Sequence, residues 1–227
     1  MLTKIAIICV IGLLVDIWFI KTEYAGLMVR ATVLKGLASA FFVLLGVLCF
    51  SANTTSFGRL IVIGLALGLV GDVLLNLRNV VGKDASMKVF ALGILAFLSG
   101  HFLYIAALIA ANTGIVLLAA VLTAVLSVVA IPPLMRRITA PSKGLKIFGY
   151  VYLVVVIAMF SCAAVLLVKS GVAVLTVLFA VGALFFVVSD FIMIYYSFGK
   201  KIKPLRAINL LTYYFGQLLI ATAILFA

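Results

Sequence analysis

Long apolar runs separated by short polar connections cover almost the whole chain. Runs that reach the length of a membrane-spanning helix, about 20 residues, lie at 3–20, 30–50, 57–78, 88–111, 114–134, 146–168, 171–197 and 204–226. Helix-breaking residues occur in the connections at 112–114, 141–144, 170–171 and 203–204. The pattern predicts an all-α, polytopic membrane protein with eight transmembrane helices, in which residues 1–227 form a single domain.

The composition excludes a soluble domain of ordinary size. Of the 227 residues, 68% are hydrophobic and only 10% are charged, whereas soluble domains have about 25% charged residues. A net charge of +12 would suggest nucleic-acid binding in a soluble protein. Here the basic residues lie in short loops between apolar runs, which is typical of cytoplasmic membrane loops, so we expect no nucleic-acid partner.

The basic residues are distributed unequally between the two sides of the predicted bundle. Thirteen of the 17 lie on one side, three on the other, and Lys35 lies inside the second predicted helix. The positive-inside rule places the richer side in the cytoplasm and therefore both termini outside. We expect an integral protein of the bacterial inner membrane.

Two of the five acidic residues are predicted to lie deep in the membrane. Glu23 and Asp84 fall in predicted loops and are expected to be solvated. Asp16 lies one turn from a helix end, so both surface exposure and burial remain open. At about 1.5 Å per helical residue, Asp72 and Asp190 lie ~9 and ~15 Å from the cytoplasmic ends of their helices. Ionisable residues at such depth are candidates for a functional site.

Other polar side chains lie in the same half of the predicted membrane region. Lys35, Tyr213 and Gln217 lie ~7.5, ~10 and ~16 Å from the cytoplasmic ends of their helices, and His101 lies ~20 Å deep. No charged residue is predicted in the outer half. We therefore expect one shared cavity that opens toward the cytoplasmic leaflet.

Helical spacing aligns several of these residues. The stripe on the third predicted helix consists of Gly64, Gly68, Asp72 and Asn76. The stripe on the eighth consists of Asn209, Tyr213 and Gln217. His101 and Tyr104, three residues apart, share a face of the fourth. Purely structural roles remain open, namely a salt bridge between Lys35 and one of the two deep aspartates that serves folding alone, and a buried histidine with a hydrogen-bond partner.

The two halves of the chain have weakly similar motifs. Gly71-Asp72-Val-Leu-Leu resembles Ser189-Asp190-Phe-Ile-Met, and Gly100-His101 resembles Gly216-Gln217. The separation between the two motifs is 29 residues in the first half and 27 in the second. This similarity predicts a tandem repeat of four helices plus four, with the two aspartates facing each other.

Two carboxyl groups with different surroundings provide an acid and a base. Lys35 lies at the depth of Asp72, so we expect Asp72 to be the charged carboxylate and the deeper Asp190 to carry a proton. Such a pair is the arrangement that cleaves acetal-like C–O bonds through an oxocarbenium-like state.

Five segments together resemble the YhhN-type lysoplasmalogenase family. They are Lys35-Gly36-Leu37, Gly71-Asp72-Val-Leu-Leu, Gly100-His101-Phe-Leu-Tyr104, Ser189-Asp190 and Tyr213-Tyr214-Phe-Gly216-Gln217. The resemblance extends over the second to eighth predicted helices. Gly36 departs from it, because a proline is expected after the lysine. The resemblance implies hydrolysis of the vinyl ether bond of lysoplasmalogens, with the two aspartates as the acid/base pair.

This interpretation assigns a role to each candidate residue. We expect Asp190 to protonate the vinyl carbon and Asp72 to stabilise the cation and activate water, while His101, Tyr213 and Gln217 orient water and substrate. The supporting residues are Lys35, Asn76, Tyr104 and Asn209. No metal or cofactor is expected, since a chain with one histidine and three cysteines is poorly supplied with zinc ligands. The expected partners are a lysophospholipid substrate and membrane lipid, and the oligomeric state stays open.

Two other function classes remain alternatives. Intramembrane Asp, His and Lys also form proton relays in small transporters, although no helix has the paired Gly/Pro interruptions of discontinuous transporter helices. A non-catalytic lipid-binding or assembly protein would use the aspartates only for packing.

Overall fold

The protein folds into α-helices that are long enough to cross a bilayer. The computed structural model describes residues 1–139 and 143–227, apart from the side chains of Lys83 and Asp84. The eight α-helices of the described residues are α1 (Leu2–Tyr24), α2 (Met28–Ala52), α3 (Ser56–Leu77), α4 (Lys83–Ala111), α5 (Val116–Arg136), α6 (Lys143–Ser170), α7 (Val174–Phe198) and α8 (Lys203–Ala223). Each contains a window apolar enough to span a membrane, so the predicted all-α fold with eight candidate spans is confirmed.

Local sequence explains where several helices begin and end. The Thr55 hydroxyl accepts a hydrogen bond of 3.0 Å from the Gly58 amide and caps the start of α3. Pro204 lies in the first turn of α8, where its missing N–H is not needed. Gly26 and Gly171 adopt φ of 77° and 84° in the turns after α1 and α6, a conformation open to glycine. The predicted breaker at 141–144 lies partly outside the described residues.

Adjacent helices form two sets of four. In the first, α3 packs extensively against α4 and α2, and α2 packs against α1. In the second, α7 packs against α8 and α6, and α6 packs against α5. Contacts of α2 with α8 and of α4 with α6 join the two sets.

Both sets contain a close helix crossing at a pair of glycines. A Cβ on Gly100 would lie 3.0 Å from the carbonyl oxygen of Gly64, and one on Gly182 would lie 2.8 Å from that of Gly216. In both sets the glycine of the third helix lies eight residues before an aspartate. Small residues permit such close approach of helices. The matching crossings support the tandem repeat that the sequence motifs predict.

The outer surface of the bundle is apolar. Leu117, Val128 and Val168 are among the large hydrophobic side chains that are more than 70% exposed. Such continuous apolar exposure marks a surface that faces lipid or another protein. Together with the candidate spans, it identifies an integral membrane protein.

Candidate functional site

All eight described helices contribute to a cavity at one end of the bundle. The cavity has a volume of about 320 Å³, within the usual range for small-molecule sites of roughly 300–1,000 Å³. Exposed Asn79 and Lys201 line its outer end, whereas buried Asp72, Asp190 and Tyr213 line its inner end. We call it the central cavity and its outer end the mouth. The structure thus brings both candidate catalytic aspartates to one space.

Asp72 is held by three partners. Lys35 forms an ion pair with one carboxylate oxygen at 3.1 Å. The other oxygen accepts hydrogen bonds from the hydroxyls of Ser39, at 2.7 Å, and Tyr213, at 2.6 Å. Because buried charges are tolerated when they are paired and hydrogen-bonded, this environment suits an ionised carboxylate.

Asp190 has a simpler environment. Its side chain is 5% exposed, and one oxygen accepts a hydrogen bond of 2.7 Å from the hydroxyl of Tyr152. Within the described residues, no lysine or arginine forms an ion pair with it. The two aspartates therefore share one cavity but differ in whether a cation neutralises them.

A chain of hydrogen bonds extends from Asp72 away from the cavity. Tyr213, which donates to Asp72, accepts a hydrogen bond of 3.3 Å from the amide of Gln217. The oxygen of the Gln217 amide accepts one of 3.2 Å from the hydroxyl of Tyr104. Gln217 and Tyr104 thus orient Tyr213 and, through it, Asp72.

The two predicted asparagines line the cavity with their amides already engaged. Asn76 donates to the Thr32 hydroxyl at 3.1 Å. Asn209 donates to the backbone and hydroxyl oxygens of Ser189 and accepts from Arg206 at 3.0 Å. Asn209 therefore joins α7 to α8, a positioning role.

The expectation of one shared cavity is wrong for His101 and Gln217. Together with Tyr104, they line a separate small void behind the central cavity. His101 is 1% exposed, and its Nδ1 lies 2.7 Å from the backbone oxygen of Phe97. Its ring packs edge-on against Phe186 at 4.7 Å, so the face of α4 that carries His101 turns toward α7 and not into the cavity.

The structure decides between the two alternatives left open for Asp16 and corrects the expectations for Glu23 and Asp84. Asp16 does not reach the surface, because it is fully buried, and neither carboxyl oxygen has a hydrogen-bond partner in the described residues. Glu23 is not a solvated loop residue. It lies in α1, which extends four residues beyond the predicted run, and forms a two-bond ion pair with Arg206. Asp84 falls in the first turn of α4, not in a loop, and its side chain lies outside the described residues.

The mouth of the cavity is rich in basic side chains. Arg78, just beyond the end of α3, lies over the ring of Phe90 with 4.5 Å between its guanidinium carbon and the ring centre. Burial, followed by the nearby Arg206, lowers the pKa of Arg78 from its ordinary value. Lys146 and Lys201 complete the set of cations at the mouth.

Sequence reasoning missed two residues at the centre of the site. Tyr152 lies in an apolar run of α6 and resembles any core aromatic, while Ser39 is one small polar residue among alanines and phenylalanines. The repeat carries a signal for Tyr152, since it precedes Asp190 by 38 residues as Lys35 precedes Asp72 by 37. Nothing in the sequence singles out Ser39.

The described residues contain no group of three or more His, Cys, Asp or Glu side chains placed to hold a metal ion. Cys49 and Cys162 are buried in the hydrophobic core as free thiols, and Cys9 is partly buried.

Comparison with known proteins identifies a family but no individual relative. No curated protein and no solved structure matches the chain. The model of the YhhN family matches residues 30–224, which include both aspartates, their partners and the four basic residues of the mouth. The match covers nearly the whole chain, so the protein belongs to the YhhN family.

Proposed function

We propose that the protein is a membrane hydrolase that cleaves the vinyl ether bond of lysoplasmalogens. The products are a fatty aldehyde and a glycerophospho-alcohol. The observation that carries the proposal is the pair of buried aspartates in one cavity, one paired with a cation and one not. Membership of the YhhN family agrees with a hydrolase of this kind.

The unequal partners assign the acid and the base. Among the described residues, Asp190 has the neutral hydroxyl of Tyr152 as its hydrogen-bond partner and no cation, and a buried carboxyl group without a cation is best accommodated with its proton. Asp72, with Lys35 beside it, is best accommodated as a carboxylate. General acid–base catalysis needs these two states together.

The first step is a proton transfer to carbon. Asp190 donates its proton to the vinyl carbon remote from the ether oxygen, and the electrons of the double bond form the new C–H bond. The ether oxygen shares a lone pair with the other vinyl carbon, which produces an oxocarbenium ion. The carboxylates of Asp72 and Asp190 stabilise this cation by electrostatic attraction.

Addition of water completes the reaction. Asp72 takes a proton from water as its oxygen bonds to the cationic carbon, which gives a neutral hemiacetal. The C–O bond to glycerol then breaks. The glycerol oxygen takes the proton from Asp72, the hemiacetal hydroxyl returns its proton to Asp190, and the aldehyde is released. Both aspartates regain their starting states, and one water molecule is consumed.

The remaining candidates support these two groups. Lys35, Ser39 and Tyr213 hold Asp72, and Gln217 and Tyr104 hold Tyr213. His101 packs behind the cavity, so we assign it a positioning role and not direct contact with water or substrate. The mechanism requires no metal or cofactor.

The charges at the mouth suggest how the substrate is placed. The positive-inside rule places the basic helix ends in the cytoplasm, so a lysolipid would enter from the cytoplasmic leaflet of a bacterial inner membrane. Its phosphate would lie at the mouth and its tail among the helices. Its vinyl ether would then lie at the depth of the aspartates.

The proposal is tested by aldehyde release from defined lysoplasmalogens with choline and ethanolamine headgroups. We expect turnover by purified wild-type protein, unchanged by a divalent-metal chelator, and a drop of about 10²–10⁴-fold in Asp72→Asn and Asp190→Asn. Thermal unfolding in detergent checks that both variants fold. Conservative variants of the exposed residues Lys4 and Arg59 serve as controls.

Each alternative function predicts a different result. Well-folded wild-type protein that releases no aldehyde from either substrate would contradict the hydrolase proposal and direct attention to proton-coupled transport. Loss of the fold in both asparagine variants would favour a packing role for the aspartates. Turnover that requires an added divalent ion would contradict the metal-free mechanism.

A further inference from the structure

Positive charge dominates the mouth of the central cavity. Four cations line it, namely Arg78, Lys146, Lys201 and Arg206, while Glu23 is the acidic side chain of the described residues that lines this end. The other acids of the cavity, Asp72 and Asp190, lie at its inner end. A ligand group that enters the mouth therefore meets an excess of positive charge, which favours an anion.

Glu23, the acid at the mouth, already forms an ion pair with Arg206. Glu23 accepts two hydrogen bonds from the Arg206 guanidinium, at 2.9 and 3.0 Å, and both side chains are at most 15% exposed. This paired, two-bond geometry is among the strong ion-pair arrangements. Glu23 therefore has little capacity left to neutralise an ammonium group on a ligand.

Two aromatic rings beside these cations are occupied as well. The guanidinium of Arg78 lies 4.5 Å from the ring centre of Phe90, and that of Arg206 lies 6.0 Å from that of Tyr196. Quaternary ammonium groups are usually recognised by open aromatic faces. The rings of Phe90 and Tyr196 already bind arginines, so on these two rings a choline headgroup would have to displace a cation.

Three of the four cations have no acidic partner among the described side chains. Arg78, Lys146 and Lys201 form no ion pair within the described part of the chain. Arg78 follows Asp72 by six residues, an axial offset of ~9 Å along α3. An arginine side chain and a glycerol backbone together cover such an offset, so a phosphate at Arg78 leaves the ether bond near Asp72.

We infer that the mouth selects lysolipids whose headgroup carries a phosphate and no ammonium, such as a phosphomonoester or a phosphoglycerol. The inference rests on the proposed function for the identity of the tail and backbone. It adds the class of headgroup and the residues that select it. Zwitterionic choline and ethanolamine lysolipids are bound more weakly, because their ammonium group meets Arg78, Lys146 and Lys201 without a free carboxylate.

Binding of uncleavable lipids tests this preference separately from catalysis. Saturated alkyl-ether lysolipids of one chain length, with phosphate, phosphoglycerol or phosphocholine headgroups, displace a fluorescent alkyl-ether lysolipid from the purified protein in non-ionic detergent. We expect Kd for the two anionic lipids to be about tenfold lower than for the choline lipid. High salt should reduce the difference, because exposed charges are screened.

Matched variants locate the source of the preference. Arg78→Gln and Lys201→Gln should each weaken binding of the anionic lipids about three- to tenfold and weaken binding of the choline lipid less, so that the preference narrows. The controls are Arg59→Gln, at the opposite end of α3, and Lys200→Gln, next to Lys201 but outside the cavity lining. Both controls should retain the wild-type preference.

The outcomes separate the two proposals. Equal Kd for all three headgroups, tighter binding of choline, or an equal effect of control and mouth variants would overturn the headgroup inference, whether or not aldehyde is released. Selective binding of anionic lipids by a protein that releases no aldehyde would support the headgroup site and contradict only the hydrolase.

Discussion

The two halves of the molecule place an aspartate at the same position and surround it differently. In α1–α4, Asp72 on the third helix pairs with Lys35 on the second. In α5–α8, Asp190 on the third helix accepts a hydrogen bond from Tyr152 on the second. The scaffold is thus repeated, while a lysine in one half is replaced by a tyrosine in the other. In the proposed mechanism, the presence of a cation at one carboxyl group and not at the other gives the two groups separate chemical roles.

The largest effect on stability is expected at the charged partner of the first half. Lys35→Met leaves Asp72 buried without its cation and should lower the free energy of unfolding by about 3–5 kcal/mol. The double variant Lys35→Met/Asp72→Asn removes both charges and should recover most of that loss without recovering turnover. Thermal unfolding in detergent and aldehyde release measure the two quantities. A stable Lys35→Met single variant would contradict the importance of the ion pair.

Alanine substitutions at the glycine crossings should destabilise the protein to a similar extent in the two halves. Gly182→Ala would place a methyl group 2.8 Å from a backbone oxygen, and Gly100→Ala would place one 3.0 Å from another. Such overpacking should cost about 1–3 kcal/mol at each site. Gly144→Ala, where a Cβ meets no described atom within 4 Å, is the control and should be neutral or stabilising. A loss at one crossing alone would argue against an equivalent scaffold.

Removal of one hydroxyl should affect Asp190 more than Asp72. Tyr152→Phe takes away the donor that Asp190 has among the described residues, with an expected cost of about 1–3 kcal/mol and a several-fold fall in turnover. Tyr213→Phe leaves Asp72 with Lys35 and Ser39, so its effect on stability should be smaller. Tyr150→Phe, on the same helix as Tyr152 and without a hydrogen-bonded hydroxyl in the described residues, is the control. The reverse order of effects would show that the partners are assigned wrongly.

The smallest effect on stability is expected at Asp16, which has no counterpart in the second half of the chain. Asp16 precedes Asp72 by 56 residues, and the residue that precedes Asp190 by 56 is Leu134. Because both oxygens of Asp16 are buried without a hydrogen-bond partner in the described part of the chain, Asp16→Leu should raise the free energy of unfolding by about 1 kcal/mol. The melting temperature in detergent reports the change. A marked fall in stability or turnover would assign Asp16 a role that its surroundings do not indicate.

The sequence predicts the fold best where the lipid bilayer restricts which backbone structures are possible. Apolar length alone locates all eight helices, because backbone polar groups in a bilayer must be satisfied within the segment. Depth along a helix follows from residue number, so Asp72, Asp190 and Lys35 are correctly predicted to share one half of the bundle. The stripe of Gly68, Asp72 and Asn76 also indicates which face of α3 turns inward.

The sequence leaves open how each helix is rotated about its own axis and which side chains pair between helices. The depth of His101 predicts that it lines the cavity, but the rotation of α4 turns the His101 ring toward Phe186. The pairing of Glu23 with Arg206 joins helices at opposite ends of the chain, which no local pattern encodes. Tyr152 is hard to single out because an aromatic residue in an apolar run is usually part of the core, and the spacing of the repeat is the one sequence signal for it before its contact with Asp190 is seen.

The fate of one proton tests the central claim most directly. Wild-type protein that hydrolyses a lysoplasmalogen in D₂O should release an aldehyde with one deuteron on the carbon next to the carbonyl, measured by mass spectrometry against authentic aldehyde incubated alone. Asp190→Asn should produce this labelled aldehyde at least a hundredfold more slowly while retaining the fold. An unlabelled aldehyde, or full labelling at the wild-type rate in Asp190→Asn, would contradict protonation of the vinyl carbon by Asp190.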